Sequence, residues 1–279
     1  MKTVLECLEA GTAYLEERGI EDARRNMQWL VAHQLGCDRV ALYTQFDRPL
    51  SEEELEPLRE ALKRRSKGEP LQHVLGNVPF LGQEYICDAR ALVPRPETEE
   101  LADMVRGMEF PRPARVLDMG TGSGVLGLSL ALALGGDCRA VVLVDQSPEA
   151  LSLARENADK LGVEARFLES DLFTEVEGVF DLIVANLPYV PEGDRDSLAP
   201  EVGHDPPQAL FSGADGLDCL RRFSADVLPF LSPGSLLALE VGHDQSPLVE
   251  GLLIQAGLED VHSREDMSGI SRFVFARNR

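Results

Sequence analysis

Lysine is nearly absent from most of this 279-residue chain: after position 70 only Lys160 remains. Residues 1–70 carry 11 basic and 14 acidic side chains, and residues 71–279 carry 16 and 34, so nearly all of the net charge of −21 falls on the larger segment. Such a surface repels phosphate over a Debye length, which argues against nucleic-acid binding and against adhesion to anionic membranes. Cysteine is scarce as well. Cys7, Cys37, Cys87, Cys138 and Cys219 are scattered, odd in number and form no C-x-x-C pair, so neither a disulfide framework nor a zinc site is expected. Long apolar runs are missing too: the longest, near Val125 to Leu134, is short and broken by Gly and Ser, which excludes a membrane span there. The segment Met1-Lys2-Thr3-Val4-Leu5-Glu6 has acid where a signal peptide would be apolar, and a soluble, cytoplasmic protein is expected. His73, His204 and His243 have no metal-ligand spacing, so no metal is expected.

What is present falls into two parts. Up to about residue 70, Val4, Leu5, Leu8, Tyr14 and Leu15 recur at helical spacing, as do Met27, Leu30, Val31, Gln34 and Leu35 around Trp29. Ser51-Glu-Glu-Glu54 reads as a capping box opening a further helix. Arg64, Arg65 and Lys67 form the basic cluster of this part, read as a solvated helix end complementing the dipole, with docking to a partner as the alternative. From Gly68 to Pro96 breakers alternate with short apolar runs, which suits a β-hairpin. From Ala114 onward, strands expected at 114–119, 140–144, 165–168, 180–185 and 235–241 alternate with helices such as Pro148–Leu161, and 258–263 with 271–276 suits an edge hairpin. Near-continuous apolar strands between amphipathic helices indicate an α/β fold with a mostly parallel sheet. The expected organisation is a helical bundle at 1–73, a hairpin connector at 74–95 and an α/β domain at 96–279.

Val116-Leu-Asp118-Met-Gly120-Thr121-Gly122-Ser123-Gly124 runs a strand through a glycine turn into a helix. Glycines let the backbone approach a ligand, and the helix start offers free N–H groups. Gly122 to Gly127 also satisfies G-x-G-x-x-G, so a dinucleotide must be weighed. Asp118, just before the first glycine, would repel pyrophosphate but favour an ammonium group. Asp145 ends the second strand, where a carboxylate can accept from both ribose hydroxyls. Asp171, followed by Leu172, ends the third near the place of an adenine. Ribose, adenine and a cationic amino-acid end together describe S-adenosylmethionine.

After the fourth strand stands Asn186-Leu187-Pro188-Tyr189. With the glycine turn, this resembles class I methyltransferases that alkylate amide or exocyclic amino nitrogens. Further stretches narrow the likeness: Arg64 to His73, Leu92-Val-Pro-Arg-Pro-Glu-Thr-Glu99, Val144 to Ala150, Pro207 to Gly213, Asp215-Gly216 and Leu239-Glu-Val-Gly242. End to end, the chain resembles the HemK/PrmC family of release factor glutamine methyltransferases. That resemblance implies a Rossmann-like class I fold behind the helical bundle, the latter recognising substrate. It implies S-adenosylmethionine as cofactor, held by Asp118, Gly120, Thr121, Gly122, Ser123, Gly124, Asp145, Asp171, Leu172 and Asn186. It implies methylation of the GGQ-loop glutamine of peptide chain release factors, with Asn186, Leu187, Pro188 and Tyr189 catalytic. No stable nucleic-acid partner, no membrane and a monomer are expected.

By the same resemblance, the target NH₂ bonds to Asn186 Oδ1 and the carbonyl of residue 187, while Tyr189 packs on the planar amide. The family has proline where this chain has Leu187; leucine keeps the carbonyl and loses only the fixed φ, while Pro188 biases residue 187 toward extended conformations. Asn-Leu-Pro-Tyr also occurs in rRNA adenine dimethyltransferases, so adenine methylation of rRNA or DNA is the enzymatic alternative, and a non-catalytic S-adenosylmethionine-binding adaptor the other. An NAD dehydrogenase conflicts with Asp118. Arg95 and Glu97 fall near the cofactor or form an ion pair locking the junction, and Glu240 reads as structural.

Overall fold

The computed structural model describes residues 2–279, in two compact units. The first comprises residues up to 77 together with 199–204. Its helices are α1 (Val4–Glu16), α2 (Ala23–Leu35), α3 (Glu52–Ser66) and the short α4 (Leu71–Leu75). Thr3 and Ser51 each close a capping box, with Glu6 and Glu54 returning the bond. The apolar stripes meet in one cluster that includes Val4, Leu8, Met27, Leu30, Leu55 and Leu58.

The basic cluster is not a solvated helix end. Arg65 is buried and donates to Asn26 Oδ1 at 2.6 Å and to the Glu69 carbonyl at 3.2 Å, and it pairs with Glu201. Arg64 grips Glu69 and donates to the His73 carbonyl at 3.1 Å. A planar guanidinium with five donors can satisfy several acceptors at once, which makes its burial tolerable. Only Lys67 is exposed as expected.

The second unit comprises residues 78–198 and 205–279. The strands β1 (Asn77–Phe80) and β2 (Gln83–Ile86) turn at Leu81-Gly82, both at positive φ (44° and 74°), the geometry that matches strand twist in a two-residue hairpin. Val78, Phe80 and Tyr85 of the hairpin belong to the core of this unit, so from residue 78 on the expected connector packs with the sheet. There follow α5 (Pro96–Arg106), β3 (Ala114–Met119), α6 (Val125–Leu134), β4 (Cys138–Asp145), α7 (Pro148–Leu161), β5 (Arg166–Glu169), β6 (Phe180–Asn186), α8 (Asp218–Asp226), β7 (Leu231–Glu240), α9 (Ser246–Gln255), β8 (Glu259–Glu265) and β9 (Ser271–Arg277). The longest apolar run is α6, a helix buried almost all round. No helix among the described residues is long and apolar enough to cross a membrane.

The strands form one sheet in the order β5-β4-β3-β6-β7-β9-β8, with the first five parallel, β9 antiparallel to β7 and β8 antiparallel to β9. β7 starts earlier than its sequence suggests, because Pro233-Gly234 is absorbed by a register shift between Phe180↔Leu231 and Leu182↔Leu236. Alternation along the strands sorts side chains onto two faces. Val116, Leu182, Val184, Leu236 and Ala238 pack with Leu101 of α5 and Leu128 of α6; Leu117, Ile183, Leu237 and Leu239 pack with Phe223 of α8 and Leu253 of α9. By the same period, Asp118, Asn186 and Glu240 fall on the face of α5 and α6. Chain order reverses between β3 and β6, which is where open α/β sheets bind ligands, at the carboxyl ends of the strands.

Candidate active site

The turn after β3 needs its glycines. Gly120, Gly122 and Gly124 sit at φ 70°, 54° and 84°, a region costly for other residues. At Gly120 a Cβ would also lie 2.9 Å from Leu187 Cδ2. Gly127 serves packing: a Cβ there would stand 2.5 Å from Leu143 Cδ2, and its N–H donates to Asp118 Oδ2 at 2.9 Å. Thr121 Oγ1 donates to the same oxygen at 2.6 Å. Burial holds the Asp118 carboxyl up at about 6, against those two bonds. Asp145 is half-buried and accepts from the N–H of Gly122 and of Ser147, each at 2.9 Å, so it braces the turn it faces. Burial raises its carboxyl and the backbone donors oppose the rise. Asn157, fully buried on α7, fastens the turn to the hairpin: it donates to the carbonyls of Ser123 (2.9 Å) and Ile86 (3.1 Å) and accepts from the Ile86 N–H at 2.6 Å.

These groups surround a cavity of about 300 Å³. Asp118, Gly120, Thr121, Gly122, Ser123, Asp145, Asp171, Leu172, Asn186, Leu187 and Pro188 all line it; Gly124 and Tyr189 do not. Gly124 instead caps α6 against Ala154. Asp171 is exposed and paired with Arg222 at 2.7 Å, while Leu172 is buried at φ 50° with its carbonyl accepting from Ser170 Oγ at 2.8 Å. Arg95 also lines the cavity; its partner is the buried Asp205 at 2.6 Å, not Glu97, and Asp205 accepts from the Val93 N–H as well. That pair fixes the Pro-rich junction beside the cavity.

The tetrapeptide is braced from behind. Asn186 Nδ2 donates to Thr98 Oγ1 at 2.9 Å, and Thr98 Oγ1 donates to Glu240 Oε2 at 2.6 Å. The Tyr189 hydroxyl donates to Glu240 Oε1 at 3.2 Å, so its ring does not wall the cavity but turns toward Gly242. Burial lifts the Tyr189 hydroxyl well above its ordinary range and the Glu240 carboxyl to about 7. Gln245 donates to the Tyr189 carbonyl at 2.9 Å and accepts from the Gly242 N–H at 2.8 Å. Gly216 must lack a side chain, since a Cβ would fall 2.1 Å from that same carbonyl. Thr98, Glu240 and Gln245 were not singled out as site residues by sequence reasoning. The Leu92–Glu99 and Leu239–Gly242 stretches, which meet at the tetrapeptide, were the available signal. No group of His, Cys, Asp and Glu among the described residues could hold a metal ion.

A glycine turn and acids at successive strand ends, set at the switch point of a seven-stranded sheet with an antiparallel edge, define a class I S-adenosylmethionine-dependent methyltransferase. The fold is shared with a methyltransferase from Pyrococcus furiosus (TM-score 0.53, 17% identity, 71% of this chain and 91% of that one). It is shared too with a 16S rRNA methyltransferase from T. thermophilus in complex with AdoMet and guanosine (TM-score 0.53, 22% identity, 73% and 50%). The PrmC N-terminal domain matches residues 6–76 and the methyltransferase small domain residues 102–214. The release factor glutamine methyltransferase of Geobacter sulfurreducens is 39% identical over 99% of this chain and 96% of its own length. That of Deinococcus radiodurans is 40% identical over 97% and 96%. The chain belongs to the release factor glutamine methyltransferase family.

Proposed function

We propose that this protein methylates the side-chain amide nitrogen, N5, of the glutamine in the GGQ motif of peptide chain release factors, with S-adenosylmethionine as methyl donor. The observation that carries the reading is that Asn186 and Leu187 open on the same cavity as the glycine turn, Asp118 and Asp145. The residues fit the cofactor: a turn with glycine at 120, 122 and 124 admits close approach, Asp118 suits its ammonium end, Asp145 its ribose, and Asp171 with Leu172 the adenine side. When bound, S-adenosylmethionine supplies a methyl group already activated by the sulfonium.

The protein's task is positioning. An amide nitrogen is a poor nucleophile because its lone pair is delocalised, the resonance that sets a rotation barrier of about 18–20 kcal/mol in peptide bonds. Asn186 Oδ1 and the residue 187 carbonyl accept the two N–H bonds of the target, hold its nitrogen in line, and stabilise the positive charge that develops there. No covalent nucleophile is required, and the proton leaves after transfer, when the nitrogen is acidic. Tyr189 serves as a brace for the loop. The helical unit, expected as 1–73, recognises the release factor; the enzyme acts as a monomer without stable nucleic-acid binding.

Labelled S-adenosylmethionine incubated with release factor or with rRNA tests this directly. Label should enter release factor and be lost with Asn186→Ala. Label in rRNA but not in release factor would sink the reading.

A further inference from the structure

Three side chains stand behind the acceptor loop in a directed chain, Asn186 to Thr98 to Glu240. A hydroxyl has a single proton. At 2.6 Å from Glu240 Oε2, Thr98 gives that proton to the carboxylate, so its lone pairs are all it has left for Asn186. Asn186 must therefore turn its NH₂ toward Thr98, at 2.9 Å, and its Oδ1 the other way. An amide is nearly symmetric in shape, and the cavity alone cannot choose between its oxygen and its nitrogen. Only the oxygen can accept from a target NH₂.

We infer that Thr98 and Glu240 are positioning residues which set the polarity of the Asn186 amide and so present Oδ1, rather than Nδ2, to the glutamine nitrogen. The inference rests on the reading of Asn186 as acceptor of the target amide. Strand register supports it: Asn186 pairs with Glu240 across β6 and β7, and both fall on the face where α5 supplies Thr98. Glu240 is 1% exposed, so water does not compete for its oxygens, and Tyr189 occupies the second one. The carboxylate thus ties both ends of the tetrapeptide to one group.

Polarity also makes the site sensitive to protonation of Glu240. Once neutral, the carboxyl can donate to Thr98, whose proton is then free to turn to Asn186 and reverse the amide. The charged groups facing Glu240 are Glu97 of α5, which raises its pKa, and Arg272 of β9, which lowers it; Tyr189 donates to it from the loop. Arg272 is itself held by Asp266 at 2.9 Å. With burial dominating, protonation falls near neutral pH, so kcat should drop as pH falls through about 7.

The test is steady-state methylation of an unmethylated release factor by full-length enzyme. Thr98→Val keeps the shape and removes the hydroxyl. It should lower kcat by roughly ten- to a hundredfold, the range seen when the outer partners of a metal ligand are removed. KM for S-adenosylmethionine should stay within about twofold, and Thr98→Ser should restore most of kcat. Because Thr98 acts through Asn186, Thr98→Val should add nothing on an Asn186→Ala background. Glu240→Gln, which cannot be neutralised by a proton, should lose the decline below pH 7. Full kcat in Thr98→Val beside an impaired Asn186→Ala, multiplicative losses in the double variant, or a wild-type pH profile in Glu240→Gln would each overturn the inference. Wild-type activity in Asn186→Ala would instead overturn the acceptor reading beneath it.

Discussion

Leu187 stands where the resemblance implies a proline, and the structure gives the leucine a role of its own. Its side chain is 3% exposed, belongs to the core face of Leu117, Ile183 and Phe223, and reaches the space over Gly120. Burying a leucine contributes about 1.5–3 kcal/mol, whereas a compatible proline gains only about 0.4–1 kcal/mol through the unfolded chain. Leu187→Pro should therefore destabilise the protein by about 1–2 kcal/mol, lowering Tm by roughly 2–8 °C in calorimetry. The carbonyl is retained, so kcat should stay within about tenfold; a gain of several orders of magnitude would mean the native loop is defective. Asp118 makes a second residue-level prediction. Only its ionised form attracts an ammonium group, and burial has raised its pKa to about 6. Affinity for S-adenosylmethionine should be flat above pH 7 and fall toward tenfold per unit well below 6, as read by titration calorimetry. Asp118→Asn keeps an acceptor for Gly127 and Thr121; it should bind weakly at every pH and lose that slope.

Strand ends carried most of the readable signal. Glycine turns, acids after apolar strands and the Asn-Leu-Pro-Tyr loop announce themselves because each is a local break in an otherwise regular pattern. Thr98 and Glu240 lie within stretches that the resemblance marks, but their partnership does not announce itself, since they meet across 142 residues. Packing of α5 on the sheet brings Thr98 to Glu240, and strand register sets Glu240 beside Asn186; both are properties of the folded chain. The edge hairpin β8–β9 was legible from alternation, but the early start of β7 was hidden by Pro233. Arg65 was misread for a related reason: a basic residue at a helix end looks solvated until its distant acceptors, Asn26 and Glu201, are in place. Arg65→Met fills similar space and leaves Asn26 and the Glu69 carbonyl without their donor. The helical unit should lose about 1–3 kcal/mol in denaturant unfolding, since hydrogen bonds to charged groups contribute about that much. Glu201 is partly exposed and rehydrates, so its share is small. Hydrogen exchange at Val202, whose amide bonds to Ala199, should quicken first as the 199–204 segment loosens.

At the scale of the whole molecule the scarcity of lysine becomes a statement about partners. A net charge of −21 is carried almost entirely by residues 71–279, the part of the chain that also holds a site which in our reading must receive another protein's loop. A release factor acts against rRNA, so the surface around its catalytic loop has to tolerate phosphate and is expected to be basic. Opposite fields raise the encounter rate and leave the lifetime of the complex to short-range contacts. Stopped-flow association with release factor should then slow by about tenfold or more between 0.05 and 0.5 M salt, because the Debye length shrinks from roughly 14 to 4 Å, while koff changes little. The same charge should prevent an rRNA fragment from competing at any of these salt concentrations. An association rate indifferent to salt would reduce the acidic surface to a solubility feature, and competition by rRNA would return adenine methylation to consideration.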